Sequence, residues 1–195
     1  MRPLLAASRD GWRRPRPAGI VRPLRRRGDC VVKFLLSIAL PLYALDQATK
    51  LWIVKHFVLY DDRQTVIPGF FDLVYWANTG AAFSAFTGKN TFFICLSIAA
   101  FVGLVFFYLK GAFVDRLSRW GVALLLPGIL GNLTDRLLHK HVVDFLLFDL
   151  HVRFANPWPA FNVADSCICT ATGLFILGAL KDHRKTAAEP GTAPK

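Results

Sequence analysis

The stretch Thr91–Leu109, TFFICLSIAAFVGLVFFYL, decides the fold class. It carries no charged residue, and a helix of this length, rising 1.5 Å per residue, matches the hydrocarbon thickness of a bilayer. The composition around it agrees: of 195 residues, 54% are hydrophobic, 13% aromatic and only 19% charged, with a mean hydropathy of +0.39. A soluble domain of this size needs more surface charge, and a disordered chain carries fewer apolar side chains. A multi-pass membrane protein remains.

Working outward, apolar segments run from about Val31 to Phe57, from near Leu117 to the GNLTDR stretch ending at Arg136, and from about Asn162 to Leu180. Pro127 and Gly128 fall inside the third span, where they are expected to bend it. The expected fold is mainly α, with four transmembrane helices and a small β-like extracytoplasmic region. The β-like part is Gln64 to Trp76, with Pro68-Gly69 as a turn signal. Residues 1–30 read as a basic, Pro-interrupted disordered tail, 31–182 as the membrane domain and 183–195 as a second disordered tail. No repeat or second domain is evident.

The net charge is +11, from 24 Lys and Arg against 13 Asp and Glu. In a soluble protein this would suggest nucleic acid, but most of the tail's arginines stand among prolines without an aromatic stacking platform, so nucleic acid is not an expected partner. Anionic lipid is. The basic residues gather in the N-terminal tail, in the 110–119 loop (Lys110, Arg116, Arg119) and at the C-terminal end (Lys181, Arg184, Lys185, Lys195). The positive-inside rule then puts both termini in the cytoplasm and residues 58–90 and 137–161 outside. No cleaved secretory signal is expected, because the arginine-rich stretch is too long and no small-residue site follows Leu40. Cys30, Cys95, Cys167 and Cys169 show no metal or disulfide spacing and read as small apolar core residues.

This topology brings distant polar residues to one height. A helix leaving the cytoplasm at Val31 reaches Asp46 after roughly 22 Å and Lys50 after roughly 28 Å, and the third span lifts Asn132 and Arg136 to a similar level. Asn162 and Asp165 open the fourth span from the same side, and Asp144 follows the third span closely. Each carboxylate inside a bilayer costs about 2.5 to 3.5 kcal/mol, so each needs a reason. Pairing is the simpler reason for these groups, Asp46 with Lys50 and Asp135 with Arg136 or another cation. Asp144 and Asp165 have no basic residue at helical spacing. Two acids that meet in such a place hold one proton between them, which allows one to activate water and the other to act as acid.

Other chemistries lack their residues. His56, His139, His141, His151 and His183 sit mostly in loops or at helix ends, where they are poorly placed to activate a serine. His139 and His141 with Asp144 form a weak metal signal, and no P-loop or GxGxxG is present. Asn78, in NTGAAFS, suits either a turn or a hold on a substrate backbone. A small ion or proton transporter with a relay of Asp46, Asp144, Asp165 and Arg136 is the alternative; it would need polar groups in both halves of the membrane. A membrane scaffold without activity gives no reason for two unpaired acids.

DQATK (Asp46–Lys50), NTGAAFS (Asn78–Ser84), PGILGNLTDR (Pro127–Arg136), VVDF (Val142–Phe145) and FNVADS (Phe161–Ser166) occur in this order. Together they resemble the motifs of the bacterial lipoprotein signal peptidases, or type II signal peptidases, over about residues 31–182. Pro127 departs from the glycine usual there, and the arginine-rich tail lies outside the pattern. The resemblance implies an intramembrane aspartyl endopeptidase of the bacterial inner membrane, active toward the extracytoplasmic face. Its substrates would be prolipoproteins whose lipobox cysteine carries a diacylglyceryl group. It implies Asp144 and Asp165 as the catalytic pair, with Asn78, Asn132, Arg136 and Asn162 lining the substrate site. Asp46, Lys50, Gly80 and Asp135 would support them, with no metal or organic cofactor. A monomer is the expected state.

Overall fold

The computed structural model describes residues 27–80, 88–152 and 157–188. The elements are α1 (Arg27–His56), β1 (Arg63–Ile67), β2 (Phe71–Asn78), α2 (Asn90–Leu109), α3 (Arg116–His139), β3 (Val142–Phe148) and α4 (Val163–Ala188). The first and last helices thus extend a few residues into the stretches assigned to the tails; residues 1–26 and 189–195 lie outside the described residues. Among the described residues, three helical segments are long and apolar enough to cross a membrane: Asn90–Leu109, Arg116–His139 and Val163–Lys181.

The third helix is the axis of the bundle, packing against α1, α2 and α4. Asp115 caps its start by accepting the Ser118 N–H at 3.0 Å, and Lys140 at φ 68° ends it in the left-handed conformation. Its glycines let neighbours approach. A Cβ on Gly128 would meet Ile168 Cγ1 at 2.6 Å and the Ala164 carbonyl at 2.8 Å, and one on Gly131 would meet Asp46 Oδ2 at 2.5 Å. At one end of the bundle Leu35, Leu104, Val122, Ala123 and Ile129 form a wholly apolar core. Outward rows such as Leu36, Leu40, Leu45 and Leu51 on α1, and Leu96, Val102 and Phe106 on α2, are exposed, as suits a lipid surround.

The sheet caps the other end. Its order is β1-β2-β3, antiparallel throughout. The hairpin turns at Pro68-Gly69, where Gly69 takes φ 71°, as the Gln64–Trp76 reading anticipates. The third strand was not anticipated. Val142–Phe148 is a short apolar run, VVDFLLF, almost wholly buried, which pairs with β2 on one edge and is bridged to Phe161 on the other. The β2–β3 register shifts by one residue between Leu73 and Trp76, a bulge next to the position that pairs Trp76 with Asp144.

Cysteine burial corrects an expectation. Cys167 is buried, but Cys95 and Cys169 are exposed on their helices, all three as free thiols. In a lipid surround an apolar helix need not turn such residues inward.

Candidate active site

Two pieces of chain meet beside β3. The segment before α4 runs antiparallel to the strand: Phe161 N–H donates to the Leu146 carbonyl at 3.1 Å, and the Phe161 carbonyl accepts from Leu146 N–H at 2.9 Å. This carries the N-terminus of α4 to the strand residue Asp144. Asn162 then caps the helix. Its Oδ1 accepts the Asp165 N–H at 2.9 Å while Asp165 Oδ2 accepts the Asn162 N–H at 3.3 Å, the reciprocal pair of a capping box. The same Asn162 donates through Nδ2 to Asp144 Oδ1 at 2.8 Å. A single residue thus joins the two carboxylates, bonding Asp144 through its side chain and Asp165 through its backbone N–H.

Each acid has a further amide donor. Asn78 Nδ2 gives to Asp144 Oδ2 at 2.9 Å, and Asn132 Nδ2 to Asp165 Oδ1 at 2.7 Å. Burial, with the Asp165 charge adding to it, pushes the Asp144 carboxyl up to about 7 despite these bonds.

Behind the acids lies an ion cluster. Lys50, 3% exposed, places Nζ 2.9 Å from Asp46 Oδ2 and 2.9 Å from Asp135 Oδ2, and donates to Asn132 Oδ1 at 3.1 Å. Asp46 pairs with Lys50 as expected, and the cation that pairs with Asp135 is Lys50 as well, not Arg136. Both acids also reach the backbone: Asp46 accepts Ala164 N–H through its other oxygen, Oδ1, at 2.8 Å, and Asp135 accepts Val143 N–H at 3.1 Å through the same Oδ2 that meets Lys50. These are the residues that immediately precede Asp165 and Asp144. Gln47, inside DQATK but given no role from sequence, closes the cluster by donating to Asp46 Oδ2 at 3.0 Å and Asp135 Oδ1 at 3.2 Å.

The other expected residues are placed as follows. Asn78 ends β2, and its Oδ1 accepts the Gly80 N–H at 2.9 Å; Ala81–Ser84 of the same motif lie outside the described residues. Arg136 Nη2 donates to the Gly80 carbonyl at 3.0 Å. It forms no ion pair with a carboxylate among the described residues. Asn162 is a correction: expected to line the substrate site, it is 0% exposed, because a cap bonded to both acids sits behind them. His139 and His141 face each other with ring centres 6.0 Å apart, but among the described residues no group of three or more His, Cys, Asp or Glu is placed to hold a metal.

The acids stand at the polar head of a cleft of about 1520 Å³. Asn78, Asn132, Arg136, Asp144 and Asp165 line that head, and Tyr60, Trp76 and Trp158, not singled out from sequence, stand with them. The rest is largely apolar, running between α2 and α4 past Leu96, Leu104 and Ile129 to Phe175. On α4 the step from Asp165 to Phe175 is about 15 Å at helical rise, a long way into a bilayer.

The comparisons with known proteins agree with this architecture. The chain is 43% identical over 156 residues to a lipoprotein signal peptidase of Neisseria meningitidis, covering 78% of this chain and 91% of that one. It is 37% identical over 154 residues to the lipoprotein signal peptidase of Bacillus pumilus, covering 78% and 96%. A bacterial membrane enzyme solved in meso at 2.3 Å superposes with a TM-score of 0.73 at 32% identity, over 84% of this chain and 96% of the other. The family model described as signal peptidase (SPase) II matches residues 38–181, and with this match over most of its length the chain belongs to the signal peptidase II family.

Proposed function

We propose that Asp144 and Asp165 are the catalytic pair of this aspartic signal peptidase, which removes signal peptides from prolipoproteins. The observation that carries the assignment is Asn162, bonded to the Asp144 carboxylate through its side chain and to the Asp165 carboxylate through its backbone N–H, at the polar head of a largely apolar cleft. Buried acids held this way share a single proton, and the pair rather than either member owns it. The ionised member takes a proton from water as the water oxygen bonds to the scissile carbonyl carbon; the protonated member gives its proton to the carbonyl oxygen. The resulting gem-diol then collapses. One of its hydroxyl protons returns to the second acid, the first acid protonates the leaving nitrogen, and the C–N bond breaks with the pair restored.

The substrate is a prolipoprotein cut at a lipobox cysteine that bears a diacylglyceryl group. A peptide anchored by its signal helix and its lipid stays in the bilayer, and an apolar cleft ending at two acids suits such a ligand. Asn78, Asn132 and Arg136 face the cleft and hold the peptide, while Asn162 acts from behind through the acids. Asp46, Lys50, Gly80 and Asp135 support that arrangement.

The chain is a bacterial inner-membrane protein. Its α1 is the fourth span, a 30-residue helix whose lipid-facing row includes Leu36, Leu40 and Leu45 while Asp46 and Lys50 turn inward. Both termini are cytoplasmic, and the sheet and the acids lie toward the extracytoplasmic side, where water reaches them; the basic residues of the tails and the 110–119 loop support this orientation. The protein works as a monomer among lipids. The relay of a transporter finds no support, since the core at the opposite end from the sheet is wholly apolar among the described residues.

The test is direct. The purified protein in detergent should release the signal peptide from a diacylglyceryl-modified prolipoprotein peptide, and cut the unmodified peptide far more slowly. Intact lipidated peptide after prolonged incubation with folded protein contradicts the reading.

A further inference from the structure

The structure assigns Phe93 and Asn90, in the first turns of α2, as positioning residues that hold Arg136 and, through it, the bonding of Asp144; this rests on the peptidase reading above. Arg136 is 7% exposed, and no carboxylate pairs with it among the described residues. What holds its guanidinium is neutral. Nη2 donates to the Gly80 carbonyl at 3.0 Å, Nη1 reaches the Asn132 carbonyl at 3.5 Å, and the Phe93 ring lies under Cζ at 4.9 Å from its centroid. An aromatic face attracts a cation without cancelling its charge, as a carboxylate would. Asn90, three positions before Phe93, donates through Nδ2 to the Arg136 carbonyl at 3.3 Å, so the same stretch of α2 grips both the side chain and the backbone of one arginine.

The grip continues to the acids. Gly80, whose carbonyl takes the Arg136 bond, gives its N–H to Asn78 Oδ1 at 2.9 Å, and Asn78 Nδ2 donates to Asp144 Oδ2 at 2.9 Å. Asn78 could present either end of its amide to Asp144; the Gly80 N–H on its oxygen leaves the nitrogen for the carboxylate. The path from Phe93 to Asp144 therefore passes through Arg136, Gly80 and Asn78. This also gives the outer turn of α2 a purpose. Lys89 supplies no side-chain cap there, and α2 packs on α3 with few contacts elsewhere among the described residues. Among the described residues the Nε of Arg136 is buried without a partner, one donor left for a substrate oxygen.

Phe93 also lines the cleft, so it could matter only as an apolar wall. A mutant cycle separates the two roles. Cleavage of the lipidated peptide is measured for Phe93→Leu, Phe93→Tyr and Asn90→Ala, each alone and combined with Arg136→Lys, with the melting temperature of each variant. We expect Phe93→Leu to lower kcat/KM by about tenfold with nearly unchanged melting, and Phe93→Tyr, which keeps the ring face, to recover most of that loss. In the Arg136→Lys background Phe93→Leu should cost less than about twofold more, because the group it positions has already been replaced. Full multiplication of the two losses, or equal losses for the Leu and Tyr variants, overturns the assignment. If Phe93→Leu does not insert stably, Asn90→Ala in the two backgrounds decides by the same rule. A parent protein that cuts no peptide refutes the peptidase reading; a parent that cuts while the cycle is additive refutes only this one.

Discussion

Asp46 Oδ1 accepts the backbone N–H of Ala164 at 2.8 Å across a separation of 118 residues, so a carboxylate on α1 fixes the residue that precedes Asp165. Asp135 does the same for Val143, ahead of Asp144, at 3.1 Å. Lys50 lies between them and forms an ion pair with each. The ion cluster thus sets the positions of two acids it does not touch.

That arrangement makes Lys50 costly to lose. Lys50→Met keeps a similar stem but leaves two buried carboxylates without their cation, a loss expected to be about 3–5 kcal/mol. Melting in detergent should fall by several degrees or more, with Asp46→Asn in the same background restoring part of it. A Lys50→Met protein that melts like the parent would show that the cluster is not what holds the two acids in place.

The glycines of the bundle divide by what a methyl group would meet. At Gly131 it would meet Asp46 Oδ2 at 2.5 Å and Ala164 Cβ at 3.0 Å, whereas at Gly173 nothing among the described residues lies within 4 Å. Gly131→Ala should therefore cost about 1–3 kcal/mol by overpacking and lower cleavage with it. Gly173→Ala should be neutral or stabilise by up to about 1 kcal/mol, as a helical Gly→Ala exchange does where there is room. Paired melting curves check the contrast.

Helices were legible from sequence because membrane spans announce themselves by long uncharged runs: Thr91–Leu109 is found within a residue of α2. The hairpin was legible from Pro68-Gly69. The third strand was not, because VVDFLLF is apolar on both faces and too short to choose between strand and buried helix without knowing that β2 and Phe161 flank it. For the site, the acids were legible as unpaired charges and Asp46 with Lys50 as a pair, whereas Asp135, expected to pair with Arg136 or another cation, shares Lys50 only once α1 and α3 are brought together. Gln47 and Phe93 were not: an amide beside a salt bridge and one aromatic in an apolar span have no local signature until Asp135 and Arg136 are brought to them.

A raised pKa carries a sign. Asp144 is pushed up to about 7, so between the ordinary carboxylate range and that value the folded protein holds a proton that the unfolded chain releases. Stability should accordingly fall as pH rises through this window and level off above it. Melting temperatures from pH 4 to pH 8 (about the range of the shift) should show the decline, and Asp144→Asn should flatten it. Cleavage should fall as pH rises past about 7, where the pair loses its shared proton. Melting that instead rises steadily across that range contradicts a carboxyl held neutral by burial.

The most direct measurement is cleavage of a diacylglyceryl-modified prolipoprotein peptide by Asp144→Asn, Asp165→Asn and the double variant, each purified and shown to be folded. Since the acids work as one unit, either single change should reduce turnover by about 10⁴-fold or more, and the double variant should be no worse than the singles. Turnover within tenfold of the parent by either folded single variant contradicts the assignment of Asp144 and Asp165 as the catalytic pair.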